Sequence, residues 1–141
     1  MENSALEAAI KKITPPLSSR QEVVAGYVFG SAATGRARPD SDIDIAVLVN
    51  TESIPADLLD YRLRLMADLR HVLERSDVEV VVLNQAPPAL AYNVVFKGRL
   101  IYEQSRSARI RFQLRTFNSF WDTQPMRDLH LTFLKRRYLN R

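Results

Sequence analysis

A chain of 141 residues, 46% of them hydrophobic, carries enough apolar material for one domain with a real core. Cysteine is absent, which excludes disulfides, thiolate zinc sites and thiol nucleophiles. The formal charge of +4 is uneven: residues 106–141 hold nine Lys or Arg against Asp122 and Asp128, a local +7, so the remainder sums to −3.

A basic tail suits nucleic acid, a nucleotide polyphosphate or an acidic protein surface; the plainer alternative is a solvated arginine face. No apolar run approaches the length of a bilayer, and the opening MENSALEAAIKK lacks the cationic-then-apolar order of a secretory leader. A cytoplasmic protein is expected.

In chain order, residues 4–13 place Leu6, Ile10 and Ile13 at helical spacing, with Ser4 as cap and Pro15-Pro16 as stop. Val23–Phe29 reads as a strand that ends at Gly30, after which the small residues 31–35 allow a helical turn. Ile43–Val49 is the second strand. Pro55 is expected to open a helix whose Leu58, Leu59, Leu63, Met66, Leu69 and Leu73 face the sheet. Residues 77–83 form a third strand, 89–96 a helix stopped at Gly98, and 100–102 a short edge strand.

From Ser105 onward, Ile110, Leu114, Phe117 and Trp121 fall on one helical face. After Pro125 a second helix carries Leu129, Phe133, Leu134 and Tyr138. The fold class expected is α/β (α+β): a small mixed sheet flanked by helices, with a core over 1–104 and a C-terminal helical arm over 105–141 within the same domain.

Within the second strand, Asp42 and Asp44 interrupt an otherwise apolar run. Two residues apart on a strand, they share a face with Cα atoms roughly 7 Å apart. Unpaired carboxylates so placed raise each other's pKa, so the arrangement asks for a cation between them or full exposure to water. With oxygen donors and no sulfur the natural ion is magnesium, which completes its shell with waters and substrate phosphates. Upstream, Gly30-Ser31 ends a strand where backbone approaches a ligand closely. Each signal alone is common as a turn or a strand edge. Together they form the pattern GSx10DxD.

With Gly35, Pro39 and Ser41 inside "GSAATGRARPDSDIDIAVLV", this pattern resembles the nucleotidyltransferase superfamily that includes DNA polymerase beta, and within it the minimal nucleotidyltransferases. The similarity continues through "DVEVVVLNQAPP", "VVFKGRLIYEQ" and "RFQLRTFNSFWDTQP". It implies a nucleotidyltransferase fold in which Gly30 and Ser31, with Ser41 and Arg38 nearby, hold nucleotide phosphates. Asp42 and Asp44 would bind magnesium. The family's third carboxylate, usually Asp, falls here at Glu79, a departure from the pattern; Asp77, at the strand entrance, is its rival. Arg36 and Arg38 lie in the loop before the aspartates, where they either touch a polyphosphate or simply solvate it. His71 and His130 have no second histidine at metal-ligand spacing.

The resemblance further implies a magnesium-dependent protein adenylyltransferase that moves AMP from ATP to a tyrosine hydroxyl of a HEPN-domain ribonuclease toxin. The chain would be the antitoxin in a hetero-oligomeric pair. Arg111, Arg115 and Trp121 are the candidate partner interface, in a tail whose Phe112, Phe117, Phe120 and Phe133 suit packing better than base stacking. The alternative is a nucleotidyltransferase-fold binding module that neutralises its partner by contact, motivated by Glu79. Transfer to a small molecule or RNA is a third reading, for which the chain is short.

Overall fold

The computed structural model describes residues 2–31, 42–54, 57–126, 128 and 136. Four strands, β1 (Val23–Phe29), β2 (Ile43–Val49), β3 (Val78–Val82) and β4 (Arg99–Glu103), form one sheet in the order β3-β2-β1-β4. β1 is antiparallel to both β2 and β4, whereas β3 is parallel to β2. The parallel pair requires a crossover, and helix α2 (Leu58–Leu73) supplies it. Helix α1 (Glu2–Ser18) precedes the sheet; α3 (Pro88–Lys97) and α4 (Arg106–Asp122) flank β4 in sequence.

The sheet is covered on both sides. Ile13 and Leu17 of α1 and Leu65 and Leu69 of α2 pack on one face, against Ile45, Val47, Val78 and Val80. Ala91 and Val94 of α3 and Phe112 of α4 pack on the other, against Tyr27, Ala46 and Leu48. Burial from both sides explains why β2 reads as a continuous apolar run. Asp44 is its one residue that is not fully buried.

Two expectations about helices need correction. Pro15 and Pro16 do not stop α1, which continues to Ser18. The N–H groups they lack would have served the carbonyls of Lys11 and Lys12, which sit at exposed positions where water replaces them. Ile13 and Leu17, both fully buried, hold the helix down across the prolines.

Second, α2 begins at Leu58, with Asp57 as its cap accepting a 2.7 Å bond from the Asp60 N–H; Pro55 lies outside the described residues. Its sheet-facing stripe is Leu58, Tyr61, Leu65, Leu69 and Leu73, with Met66 beside it. Leu59 and Leu63 turn outward, 60% and 46% exposed. The helix is leucine-rich on more than one side, so three- and four-residue steps trace two stripes and select neither.

On α4 the expected stripe of Ile110, Leu114, Phe117 and Trp121 is largely exposed, while the helix buries Phe112 and Thr116. The helix expected after Pro125, with Leu129, Phe133, Leu134 and Tyr138, and His130 with it, lies outside the described residues. Among the described residues no helix is long and apolar enough to cross a membrane.

The assignment of the α2 face has a direct test. Leu65→Ala removes a side chain 1% exposed and should cost about 2–5 kcal/mol in urea unfolding. Leu63→Ala should cost about 0.5–1 kcal/mol. Equal losses would mean that the helix is rotated from the orientation described.

Candidate active site

β1 leaves the sheet at Phe29, whose register partner on β2 is Asp44. The next residue, Gly30, has φ +71°. The left-handed backbone favours glycine there, and a Cβ would stand 2.5 Å from Asp44 Oδ2 and press the carboxylate aside. Ser31 follows at once, placing the Gly-Ser turn and the Asp-x-Asp strand side by side.

Asp42 is exposed at the mouth of β2, and Asp44 is half-buried one turn of the pleat further in. On β3, Glu79 is the parallel register partner of Asp44. The Asp44 carboxyl is pushed above its ordinary value of 3.8, first by burial, then by the negative charges of Asp42 and Glu79.

The acidic groups around this point divide into two kinds. Asp77 lies in a fork with Arg75, at 2.5 Å from Nε to Oδ1 and 2.6 Å from the second guanidinium nitrogen to Oδ2, and Arg75 holds it below the usual carboxylate range. Glu79 faces the guanidinium groups of Arg70 at 3.5 Å and Arg62 at 3.8 Å. Those two arginines are themselves fixed, their Nε atoms donating to the backbone carbonyls of Val78 at 3.0 Å and Val80 at 2.6 Å. Among the described residues, neither Asp42 nor Asp44 has a Lys or Arg at ion-pair distance. Among the described residues these two carboxylates are therefore without an ion-pair partner, though Asp42 is near enough to Arg75 to act on its charge.

The donor set fits a hard cation through Asp42 and Asp44: two carboxylate arms, no sulfur, and a half-buried member that resists ionisation in the absence of positive charge. Glu79 stands next to them in register while its oxygens are turned to Arg62 and Arg70. Among the described residues no group of three or more His, Asp or Glu is assembled to hold a metal. Ser41, Arg38, Arg36, Gly35 and Pro39 lie outside the described residues. His71 is exposed in the last turn of α2.

The three candidate interface residues do not form one patch. Arg111 and Arg115 line a cavity of about 420 Å³ between α4 and the end of β2. Trp121 instead ends an aromatic series on α3 and α4, 6.1 Å from Phe117 and 5.4 Å from Phe120 between ring centroids. Reading the sequence missed Arg62, Arg70 and Arg75. The first two had a signal, since eight residues apart on a helix they share one face; attention to the leucines passed over it.

Residues 11–107 match the family model described as polymerase beta, nucleotidyltransferase. The chain is 34% identical over 104 residues to the protein adenylyltransferase MntA of Shewanella oneidensis, an alignment covering 72% of this chain and 69% of that protein. It is 35% identical over 68 residues to spectinomycin 9-adenylyltransferase of Campylobacter jejuni, which covers 46% of this chain but only 26% of that longer protein. Among solved structures, a toxin-antitoxin complex with AMP-PNP superposes with a TM-score of 0.72 at 26% identity, covering 91% of this chain and 97% of that one. A tri-AMPylated HEPN toxin of Shewanella oneidensis in complex with its MNT antitoxin gives a TM-score of 0.67 at 25% identity, covering 95% and 98%.

The raised Asp44 pKa is also a statement about stability. The folded chain binds this proton more tightly than the unfolded chain, so the favourable contribution is complete below 3.8 and is lost as pH rises through the elevated value. Asp44→Asn should therefore raise the Tm at neutral pH by about 1–3 °C, the gain shrinking as the pH falls towards 3.8. A variant less stable than the parent at pH 7 in scanning calorimetry would contradict this electrostatic account. Gly30→Ala forces a methyl against the same carboxylate in a left-handed backbone and should lose about 1–3 kcal/mol in urea unfolding; a neutral result would mean that the turn readily relaxes.

Proposed function

The chain belongs to the polymerase beta nucleotidyltransferase family, and from that premise we propose that it transfers AMP from ATP to a tyrosine hydroxyl of a HEPN-domain toxin, as the antitoxin of that pair. The observation that carries the reading is the pair of aspartates beside the Gly30–Ser31 turn, which among the described residues have no basic side chain at ion-pair distance, in a neighbourhood where Asp77 and Glu79 both have arginines. The likeness to an adenylyltransferase named for protein substrates, and to antitoxins in complex with HEPN toxin, supports the choice of acceptor.

In this reading Gly30 and Ser31 receive the nucleotide phosphates, with Ser41 and Arg38 from the adjoining part of the chain. Asp42 and Asp44 would hold magnesium, which would supply positive charge to the reacting phosphate oxygens. The phenolic oxygen, its proton passing to water, attacks the α-phosphorus, the bond from that phosphorus to the bridging oxygen breaks, and pyrophosphate departs. Burial at Asp44 withholds water from one arm of the site, and the Gly30 turn keeps the phosphates within reach of both carboxylates. Glu79 serves as the third carboxylate when it leaves Arg62 and Arg70. The work of the protein is positioning and charge neutralisation, without a covalent intermediate.

The pairing of Glu79 with Arg62 and Arg70 favours one second reading, a protein that neutralises its partner by contact alone. A single experiment separates the two: incubation with the HEPN partner and magnesium, using α-labelled and, in parallel, γ-labelled ATP. Adenylyl transfer labels the partner from the α position only, and Asp42→Asn with Asp44→Asn should reduce that label by about 10²-fold or more while the complex still forms. A stable complex with no label, and a double aspartate variant that neutralises as well as the parent, would establish binding in place of catalysis.

A further inference from the structure

At the end of the sheet away from the aspartates, β2 runs into Asn50 and a single 3-10 turn, Thr51–Ser53. Six residues along the strand put this end about 20 Å from Asp44. Here the cavity of about 420 Å³ opens, floored by Val24, Leu48 and Ala108, with Arg111 and Arg115 on the α4 wall and Glu52 opposite. A smaller hollow of about 150 Å³ continues it along α4, sharing Asn84 and Arg115 and floored by Leu83, Ala91 and Phe112. The two form one groove with an apolar base.

The polar groups of this groove are unequally satisfied. Asn84 is spent on the chain itself, accepting from the Val49 N–H at 3.0 Å and donating to the Val49 carbonyl at 2.8 Å. Asn50 accepts from the Glu52 N–H at 3.1 Å. Arg111 and Arg115 are exposed and, among the described residues, neither has a carboxylate at ion-pair distance. Arg115 has only the Phe112 ring, 6.0 Å from its guanidinium carbon. Four apart on a helix, the two arginines present their charges on one side, with Cβ atoms about 5–6 Å apart.

We propose that this groove docks an acidic, partly apolar polypeptide segment of the protein substrate. Carboxylates two apart on an extended segment, or four apart on a helix, match the spacing of Arg111 and Arg115. Apolar side chains between them cover the floor, and backbone N–H groups or a basic side chain meet Glu52. A nucleic acid fits less well, because Glu52 repels phosphates and the aromatic ring at the groove, Phe112, is 9% exposed and closed to base stacking. Docking here holds the partner without obstructing the acidic end of the sheet. That the segment belongs to the modified protein rests on the adenylyl-transfer reading; the preference of the groove for an acidic segment does not.

The test uses the full chain and a fluorescein-labelled octapeptide of alternating Asp and Leu, with the Asn-Leu peptide as its uncharged counterpart, read by fluorescence anisotropy at fixed salt. Arg111→Glu with Arg115→Glu should weaken Asp-Leu binding about tenfold or more. Lys12→Glu with Arg64→Glu, an equal charge change on other helices, should alter it less than about twofold, and circular dichroism would confirm that each variant is folded. Equal loss in both variants, equal binding of the uncharged peptide, or displacement by a short oligonucleotide at lower concentration than by unlabelled peptide would each overturn the proposal. If the peptide result holds while the labelling assay fails, the groove stands and the enzymatic reading falls; the converse rejects the groove alone.

Discussion

The pairing of Phe29 with Asp44 across β1 and β2 is the constraint from which the acidic end of the molecule follows. It stops β1 beside Asp44, so the left-handed turn at Gly30, which disfavours a Cβ, must form where the carboxylate already stands. The register cannot slip by one residue, because Ile43, Ile45 and Val47 would leave the α1 and α2 side for the other face. Apolar packing at one end of the strand therefore fixes the position of charge at the other.

Charge at this end is organised by exclusion. Among the described residues, arginines attend Asp77 and Glu79 and are tied to backbone or to neighbouring acids, and none stands at ion-pair distance from Asp42 or Asp44. Burial of Asp44 beside Asp42 and Glu79 raises its pKa and so lowers the stability of the fold at neutral pH. The two sides of α4 are likewise distinct: its buried side fastens Phe112 into the core, while its arginines border a groove far from Asp42 and Asp44.

Much of this was legible in the sequence because short-range chemistry decided it. The strands at 23–29 and 43–49 show themselves as short apolar runs rich in β-branched residues, and GSx10DxD names the residues that the β1–β2 register later brings together. The sequence was less legible where long-range packing chose between equal local options. Two leucine stripes on α2 satisfy the same spacing, and only contact with α1 and the sheet selects Leu65 over Leu63. The prolines of α1 break a local rule that two buried aliphatic anchors override. At the site, the types and places of Asp42, Asp44 and Glu79 could be read, but the arginines facing Glu79 come from another element, and their proximity is a property of the crossover.

Arg62 and Arg70 also act on the sheet as a whole. β3 is an edge strand, and an edge with free carbonyls is a template on which a foreign strand can grow. The two guanidinium groups occupy the carbonyls of Val78 and Val80, so a strand adding to this border would have to displace charged side chains from them. Solubility and electrostatics thus share the same two residues: a substitution that released Glu79 would simultaneously free those carbonyls and invite self-association through the valine-rich strand.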